Sequence, residues 1–301
     1  MPFTGTIDVE RVLAEFQAGA TIVLQALHHN WLPLAKFSRG LEGALGHPVQ
    51  ANAYFTPRSA QGLAVHHDTH DVFVLQIAGE KHWRVYEPVL ELPLRNQRYS
   101  KELGAPGEPV EDVTLSPGDT MYLPRGWLHD ALTTDSESLH LTIGVKVYTW
   151  QDAVDAAVQE CGEELDFRRS VPEDGELHAD LLRLVEERLS PAEVARRRRE
   201  RFVRGRRPIR DGQLAQLRAL ESVTLETPVE RRPTVIAELA FPALTFEGKT
   251  LRFPPHVEDE VEFVVSAEEP FTAAELPGDL DDESRLVLVR RLVREGFLLQ
   301  V

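Results

Sequence analysis

The chain has 301 residues, 42% apolar and 27% charged, enough for about two domains with a sizeable core. Its formal net charge of −16 speaks against a general nucleic-acid or anionic-membrane binder, because phosphate contacts need clustered Lys and Arg; a basic partner suits such a surface better. The single cysteine, Cys161, excludes an internal disulfide and a cysteine-based zinc site.

No run approaches the ~18 uncharged apolar residues of a spanning helix. The opening Met1-Pro2-Phe3-Thr4-Gly5-Thr6 lacks the basic-then-apolar pattern of a signal peptide, so a cytoplasmic protein is expected. Nine of the eleven histidines precede residue 150, and only His178 and His256 follow it. Imidazole chemistry therefore belongs to the first half.

In chain order, Val9, Val12, Leu13 and Phe16 make a helical stripe over residues 8–18, with Asp8 as cap and Gly19 as stop. The β-branched run Thr21–Leu27 reads as a buried strand, and Trp31–Leu45 as a second helix stopped by Gly46 and Pro48. Short apolar runs then recur between Pro and Gly: Val49–Phe55, Val72–Ile77, His82–Tyr86, Asp112–Leu115, Thr120–Leu123 and Leu139–Val147, with Gly79-Glu80 as a hairpin turn. That spacing predicts an antiparallel barrel or sandwich.

After Trp150 helices take over. Gln151–Glu164 and His178–Arg188 precede a third that starts with Ser190 as cap, Pro191 first and Glu193 closing a capping box. This helix carries Arg196–Arg199 and ends near Gly205; Arg204–Gly212 reads as a linker. From Gln213 a helix, short strands (Val235–Ala240, Thr245–Glu247, Thr250–Phe253), helices Phe271–Leu276 and Asp281–Glu295, and a terminal strand Phe297–Val301 are expected. Helices followed by a terminal hairpin resemble a winged helix.

The segment Val65-His66-His67-Asp68-Thr69-His70-Asp71 carries the chemistry. On a strand His66 and Asp68 share a face and His67 points away. Pro117-Gly118-Asp119, a strand, then Pro124-Arg125-Gly126-Trp127-Leu128-His129 resembles the second motif of cupin barrels, which delivers a histidine at the barrel mouth. Two imidazoles and one carboxylate with open positions form the facial triad of non-haem Fe(II) oxygenases. Asp68 with His70 is the alternative pairing. His28, His29 and His82 read as surface or packing residues, and Trp83, Phe73 and Leu75 as core.

Gly62-Leu63-Ala64-Val65-His66-His67-Asp68, Asp71–Gln76 and Gly79–Tyr86 resemble the JmjC-type ribosomal oxygenases, cupin-like protein hydroxylases. Asn52-Ala53-Tyr54, Tyr122–Gly126 and His140–Ile143 fit the same pattern in order. The resemblance implies a mixed α+β chain: a double-stranded β-helix (cupin/JmjC) barrel over 1–149, a helical dimerisation segment over 150–212, and a winged-helix-like domain over 213–301. It also implies Fe(II), 2-oxoglutarate and O2, with hydroxylation of a side chain in a protein or peptide substrate, classically ribosomal, and a homodimer. On that resemblance His66, Asp68 and His129 hold the metal, Lys81 pairs with the far carboxylate of 2-oxoglutarate, and Asn52 and Tyr54 line that pocket.

Two departures accompany it. Gly144 stands where relatives place a cosubstrate-contacting serine, with Thr142 two residues earlier as substitute. The stretch before Phe3 is shorter than in relatives. A cupin metalloenzyme that uses no 2-oxoglutarate, or a silent cupin scaffold that binds without catalysis, stays open as the alternative. The Arg196–Arg210 run points to salt bridges between subunits or domains ahead of RNA. Residues 214–301 hold 17 Asp and Glu against 9 Lys and Arg, with Asp279, Asp281, Asp282 and Glu283 crowding the last helix start; that balance opposes DNA binding.

Overall fold

The computed structural model describes residues 7–175 and 179–301. Phe3, with the short N-terminal stretch, and His178 lie outside them. The chain divides into two compact units, one of residues up to Ser38 with His47–Val147, the other of Arg39–Gly46 with Tyr148–Val301.

The first unit begins with helix α1 (Val9–Gln17), whose first turn is capped by Asp8 accepting from the Arg11 amide at 3.1 Å. Strand β1 (Ile22–Leu24) is shorter than the expected run and only half-buried, because it is the sheet's edge. The chain leaves it through a left-handed Ala26 into a short 3-10 turn at Leu27–His29. Helix α2 (Leu32–Leu45) follows, its residues up to Ser38 in this unit and Arg39–Leu45 in the second. The strands are β2 (Val49–Thr56), β3 (Asp71–Ala78), β4 (Lys81–Tyr86), β5 (Glu111–Leu115), β6 (Thr120–Leu123), β7 (Leu128–Leu132) and β8 (Ser138–Val145).

They form two antiparallel sheets, β1-β2-β8-β3-β6 and β5-β4-β7. Residues 61–66 extend the second, with bridges Gln61↔Leu132 and His66↔His129. Side chains of both sheets line one cavity, the arrangement of a double-stranded β-helix. Alternation sets what faces it. Strand β2 turns Asn52 and Tyr54 to the cavity, while the amide of Ala51 is met by His28 (3.2 Å).

The apolar floor is Val72, Val74, Trp83, Val85, Leu115, Leu123 and Ala131. Phe73 and Leu75, expected in that core with Trp83, are half-buried on the other face of β3, where Phe73 meets the Tyr122 ring at 5.1 Å. The β3–β4 hairpin turns at Gly79 as expected, at φ +62, where a Cβ would lie 1.8 Å from the Glu137 carbonyl oxygen. Only glycine fits both constraints.

The second unit carries α3 (Trp150–Cys161), α4 (Ala179–Arg188), α5 (Pro191–Arg204) and α6 (Gln213–Arg218). Thr149 and Asp152 form a capping box for α3. The one expected at Ser190 does not form: the Ser190 side chain makes no cap bond, Pro191 sits first, and Glu193 turns to Arg196 (2.9 Å). Arg197 pairs with Glu160 (2.7 Å), Arg199 with Glu238 (3.3 Å) and Arg201 with Asp152 (3.0 Å). The arginine run thus engages carboxylates of its own unit. Residues 205–212 are no loose linker, since Arg206 is buried against Glu42 and Arg210 pairs with Glu247.

Next come β9 (Val229–Arg231), the meander β10 (Ala237–Ala240), β11 (Ala243–Phe246) and β12 (Lys249–Arg252), then α7 (Glu258–Ser266), α8 (Asp282–Glu295) and β13 (Leu298–Gln300). The expected helix Phe271–Leu276 is only a 3-10 turn at Ala273–Glu275, boxed by Thr272 and Glu275. The expected terminal hairpin is absent as well: β13 pairs with β9. This closure buries Phe246 and Phe297, edge-to-face at 5.2 Å, with Leu244, Leu292 and Leu298. No helix among the described residues is long and apolar enough to cross a membrane.

Candidate metal centre

His66, Asp68 and His129 each present a ligand atom within 4.8 Å of the others. The backbone brings them together. His66 and His129 exchange amide bonds across the bridge (3.2 and 2.9 Å), and the Asp68 carbonyl accepts from the Gly126 amide (3.0 Å). Gly126 has φ +92, and a Cβ there would lie 2.6 Å from the Leu90 carbonyl oxygen. A glycine is therefore required where the turn before β7 meets the loop after β4.

Each imidazole is oriented by a carbonyl: Nδ1 of His66 lies 2.8 Å from Ala64 O, and Nδ1 of His129 lies 3.1 Å from Trp127 O. A carbonyl only accepts, so Nδ1 carries the proton and Nε2 keeps its lone pair for a ligand. Nε2 of His129 is 3.8 Å from Asp68 Oδ2. Burial, then the charge of His66, pushes His129 down to about 4. It is neutral at pH 7, the state that binds a metal.

His67 points away from this group, as the spacing predicted; it is buried, with Nε2 3.0 Å from Gln97 O and its ring against Tyr99. The alternative with His70 is not what the structure assembles: His70 lies outside the group, with its ring against Gly144. His28 is buried in packing contacts, its ring tilted against that of His29, and His82 pairs with Asp112 (2.9 Å).

The three donors open on a cavity of about 260 Å³ that also holds Asn52, Tyr54, Lys81, His140 and Thr142. Lys81 is only 3% exposed. Its ammonium donates to Thr56 Oγ1 at 2.9 Å, which in turn meets Thr21 Oγ1 at 3.0 Å. It has no acidic partner among the described residues, and burial pushes it down to about 8. A buried cation without a counter-ion is costly and is compensated when an anion arrives.

Asn52 uses Oδ1 to accept from the Ala26 amide (2.9 Å) and from Gln50 (3.1 Å), which leaves its NH2 for the cavity. Burial, then the charge of Asp68, holds the Tyr54 hydroxyl above its usual range. Thr142 stands opposite Asn52 on β8.

His140 is the cavity residue to which sequence reasoning assigned no role. It stacks on Tyr54 at 5.0 Å, meets Trp83 edge-on at 5.4 Å, and is held well below its usual range by burial and then by Lys81. The available signal was its place two residues before Thr142, on the same face of one strand.

Residues 28–153 match the model of the JmjC domain. Over these residues the chain is similar to a JmjC domain. Among proteins similar to this chain is the bifunctional lysine-specific demethylase and histidyl-hydroxylase NO66 of Drosophila persimilis, 39% identical over 133 residues, which are 44% of this chain and 19% of that protein. Human ribosomal oxygenase 1 is 38% identical over 181 residues, 55% of this chain and 28% of that one. The chain thus spans under a third of these relatives' length. The solved structure of Escherichia coli ribosomal oxygenase YcfD superposes with a TM-score of 0.58, 18% identity, and 93% coverage of this chain and 78% of YcfD, a likeness of fold. YcfD has been solved with cobalt and 2-oxoglutarate, and with cobalt and succinic acid. All three donors and Lys81 lie inside the residues that match the JmjC domain model.

Proposed function

We propose that the chain is an Fe(II)- and 2-oxoglutarate-dependent oxygenase. It hydroxylates an amino-acid side chain of a protein or peptide, ribosomal proteins included, and releases succinate and CO2. The observation that carries this reading is one cavity with a His-Asp-His donor group at one place and a buried, acid-free Lys81 at another. The donors fit the ion: two imidazoles whose Nδ1 atoms face carbonyls, and one carboxylate, are the facial set that leaves neighbouring positions open.

Bound iron supplies the activation of dioxygen; the chain supplies binding and orientation. His66 and His129, fixed by Ala64 and Trp127, and Asp68, fixed through Gly126, hold the metal. Lys81 pairs as a point charge with the far carboxylate of 2-oxoglutarate. Asn52, Tyr54 and Thr142 offer hydrogen bonds to the cosubstrate, while Val72, Val74 and Leu123 keep water from the walls. The acidic chain favours a basic protein partner.

The second unit is read as a homodimerisation segment followed by a winged-helix-like protein-binding module. Trp150, Val154 and Val158 support the first part, forming an exposed apolar row along α3 at 76%, 39% and 46% exposure. The excess of acidic residues over 214–301 supports a protein-binding role over DNA. A cytoplasmic setting accords with the single, buried and unpaired Cys161. The test is succinate formation from 2-oxoglutarate with Fe(II) and O2. Turnover lost in Asp68→Ala and His66→Ala supports the reading, and undiminished turnover in both overturns it.

A further inference from the structure

Four imidazoles line the cavity, and three have evident partners: His66 and His129 are oriented by carbonyls, and His140 is stacked on Tyr54. The fourth, His70, has no hydrogen-bond partner among the described residues. Its ring rests on the bare Cα of Gly144: a Cβ there would lie 2.3 Å from His70 Cδ2 and 2.4 Å from Nε2. No side chain at 144 coexists with this placement.

Strand register says which end of the cavity this is. On β8, His140, Thr142 and Gly144 share a face, with Ser138 at the start of the strand. Ser138 pairs with Thr56, the residue that binds Lys81, whereas Gly144 pairs with Val72, just past His70. Lys81 and His70 thus stand at opposite ends of the row. A dicarboxylate with one end on Lys81 presents its other end toward His70, two residues after Asp68 in sequence.

We propose that His70 is a further cosubstrate-contacting residue, donating an imidazole N–H to the carboxylate of 2-oxoglutarate nearer the metal, and that Gly144 provides its seat. The inference rests on the oxygenase reading above. The test is calorimetric titration of 2-oxoglutarate into the full chain loaded with Mn(II), without O2. Expected is about tenfold weaker binding for His70→Ala, the scale of one charge-assisted hydrogen bond, with Mn(II) affinity and melting temperature unchanged. His70→Gln, which keeps an N–H donor, should recover part of the loss. So should the His70→Ala, Gly144→Ser double variant, which places a hydroxyl in the vacated space. Wild-type affinity in His70→Ala overturns the contact, a double variant as weak as His70→Ala overturns the role of Gly144, and lost Mn(II) affinity would make His70 a metal ligand instead. Failure of the Mn(II)-loaded wild type to bind 2-oxoglutarate overturns the parent reading, and this inference with it.

Discussion

Replacing Lys81 with methionine is expected to stabilise the metal-free barrel while abolishing its hold on 2-oxoglutarate. Burial pushes the ammonium from 10.5 to about 8. At about 1.4 kcal/mol for each unit of pKa, keeping Lys81 charged in the folded barrel costs roughly 3 kcal/mol. Methionine has a similar length and no charge, so it removes that cost. It forfeits the bond to Thr56 (2.9 Å), worth about 1 kcal/mol, while Thr56 keeps its contact with Thr21 (3.0 Å).

The net gain is then ~2 kcal/mol at pH 7. Its pH dependence identifies the cause. Below pH 8 the folded and unfolded chains both hold the proton, and the full cost is present. Between pH 8 and 10.5 the unfolded chain binds a proton that the folded one has lost, so wild-type stability rises with pH. The advantage of the variant should therefore vanish near pH 10. Urea midpoints at pH 7 and pH 10 measure this in the metal-free chain, and calorimetry measures 2-oxoglutarate binding to the Mn(II)-loaded one. A Lys81→Met chain less stable than wild type at pH 7, or equally favoured at both pH values, would refute the argument.

The same lysine predicts that 2-oxoglutarate affinity falls as pH rises through about 8, approaching tenfold per pH unit once the free site has lost its proton; a flat profile from pH 7 to 9.5 would remove Lys81 from the contact. Asp68→Ala should cut Co(II) affinity about 100-fold or more by deleting one of three donors, and an unchanged Co(II) isotherm would move the metal elsewhere. Gly79→Ala should destabilise the chain by ~2 kcal/mol or more, because a left-handed turn then meets a carbonyl oxygen; equal denaturation midpoints would contradict it. Val154→Glu on α3 should shift light-scattering mass from dimer to monomer while the far-UV spectrum stays the same, and an unchanged mass would redirect the dimer reading to another surface.

Much of the barrel was legible because its strands are bounded by Pro and Gly and alternate cleanly. Strand β7 was missed: four of its five residues are buried, so Leu128–Leu132 shows no period of two, and Pro124 and Gly126 made it look like a corner. Helix α7 opens on Glu258, Asp259 and Glu260, a run that suits a helix N-terminus but reads as solvated loop. Ala273, Ala274 and Glu275 are good helix formers, yet the segment makes a single turn because Phe271 bridges back to Val229. At the site, the His66, Asp68 and His129 spacing was readable from local motifs. The seating of His70 was not, since it depends on β3 lying beside β8.

The reciprocal amide bonds between His66 and His129 also bear on how the centre is loaded. The two chain segments that carry the donors are stapled by backbone bonds that use no ligand atom. An incoming metal closes no new loop and orders little chain, so its capture and release need not be coupled to folding, unlike small metal-dependent domains that unfold when chelated. Chelator treatment should leave a folded, refillable socket, with occupancy following the supply of ion and not the history of the chain.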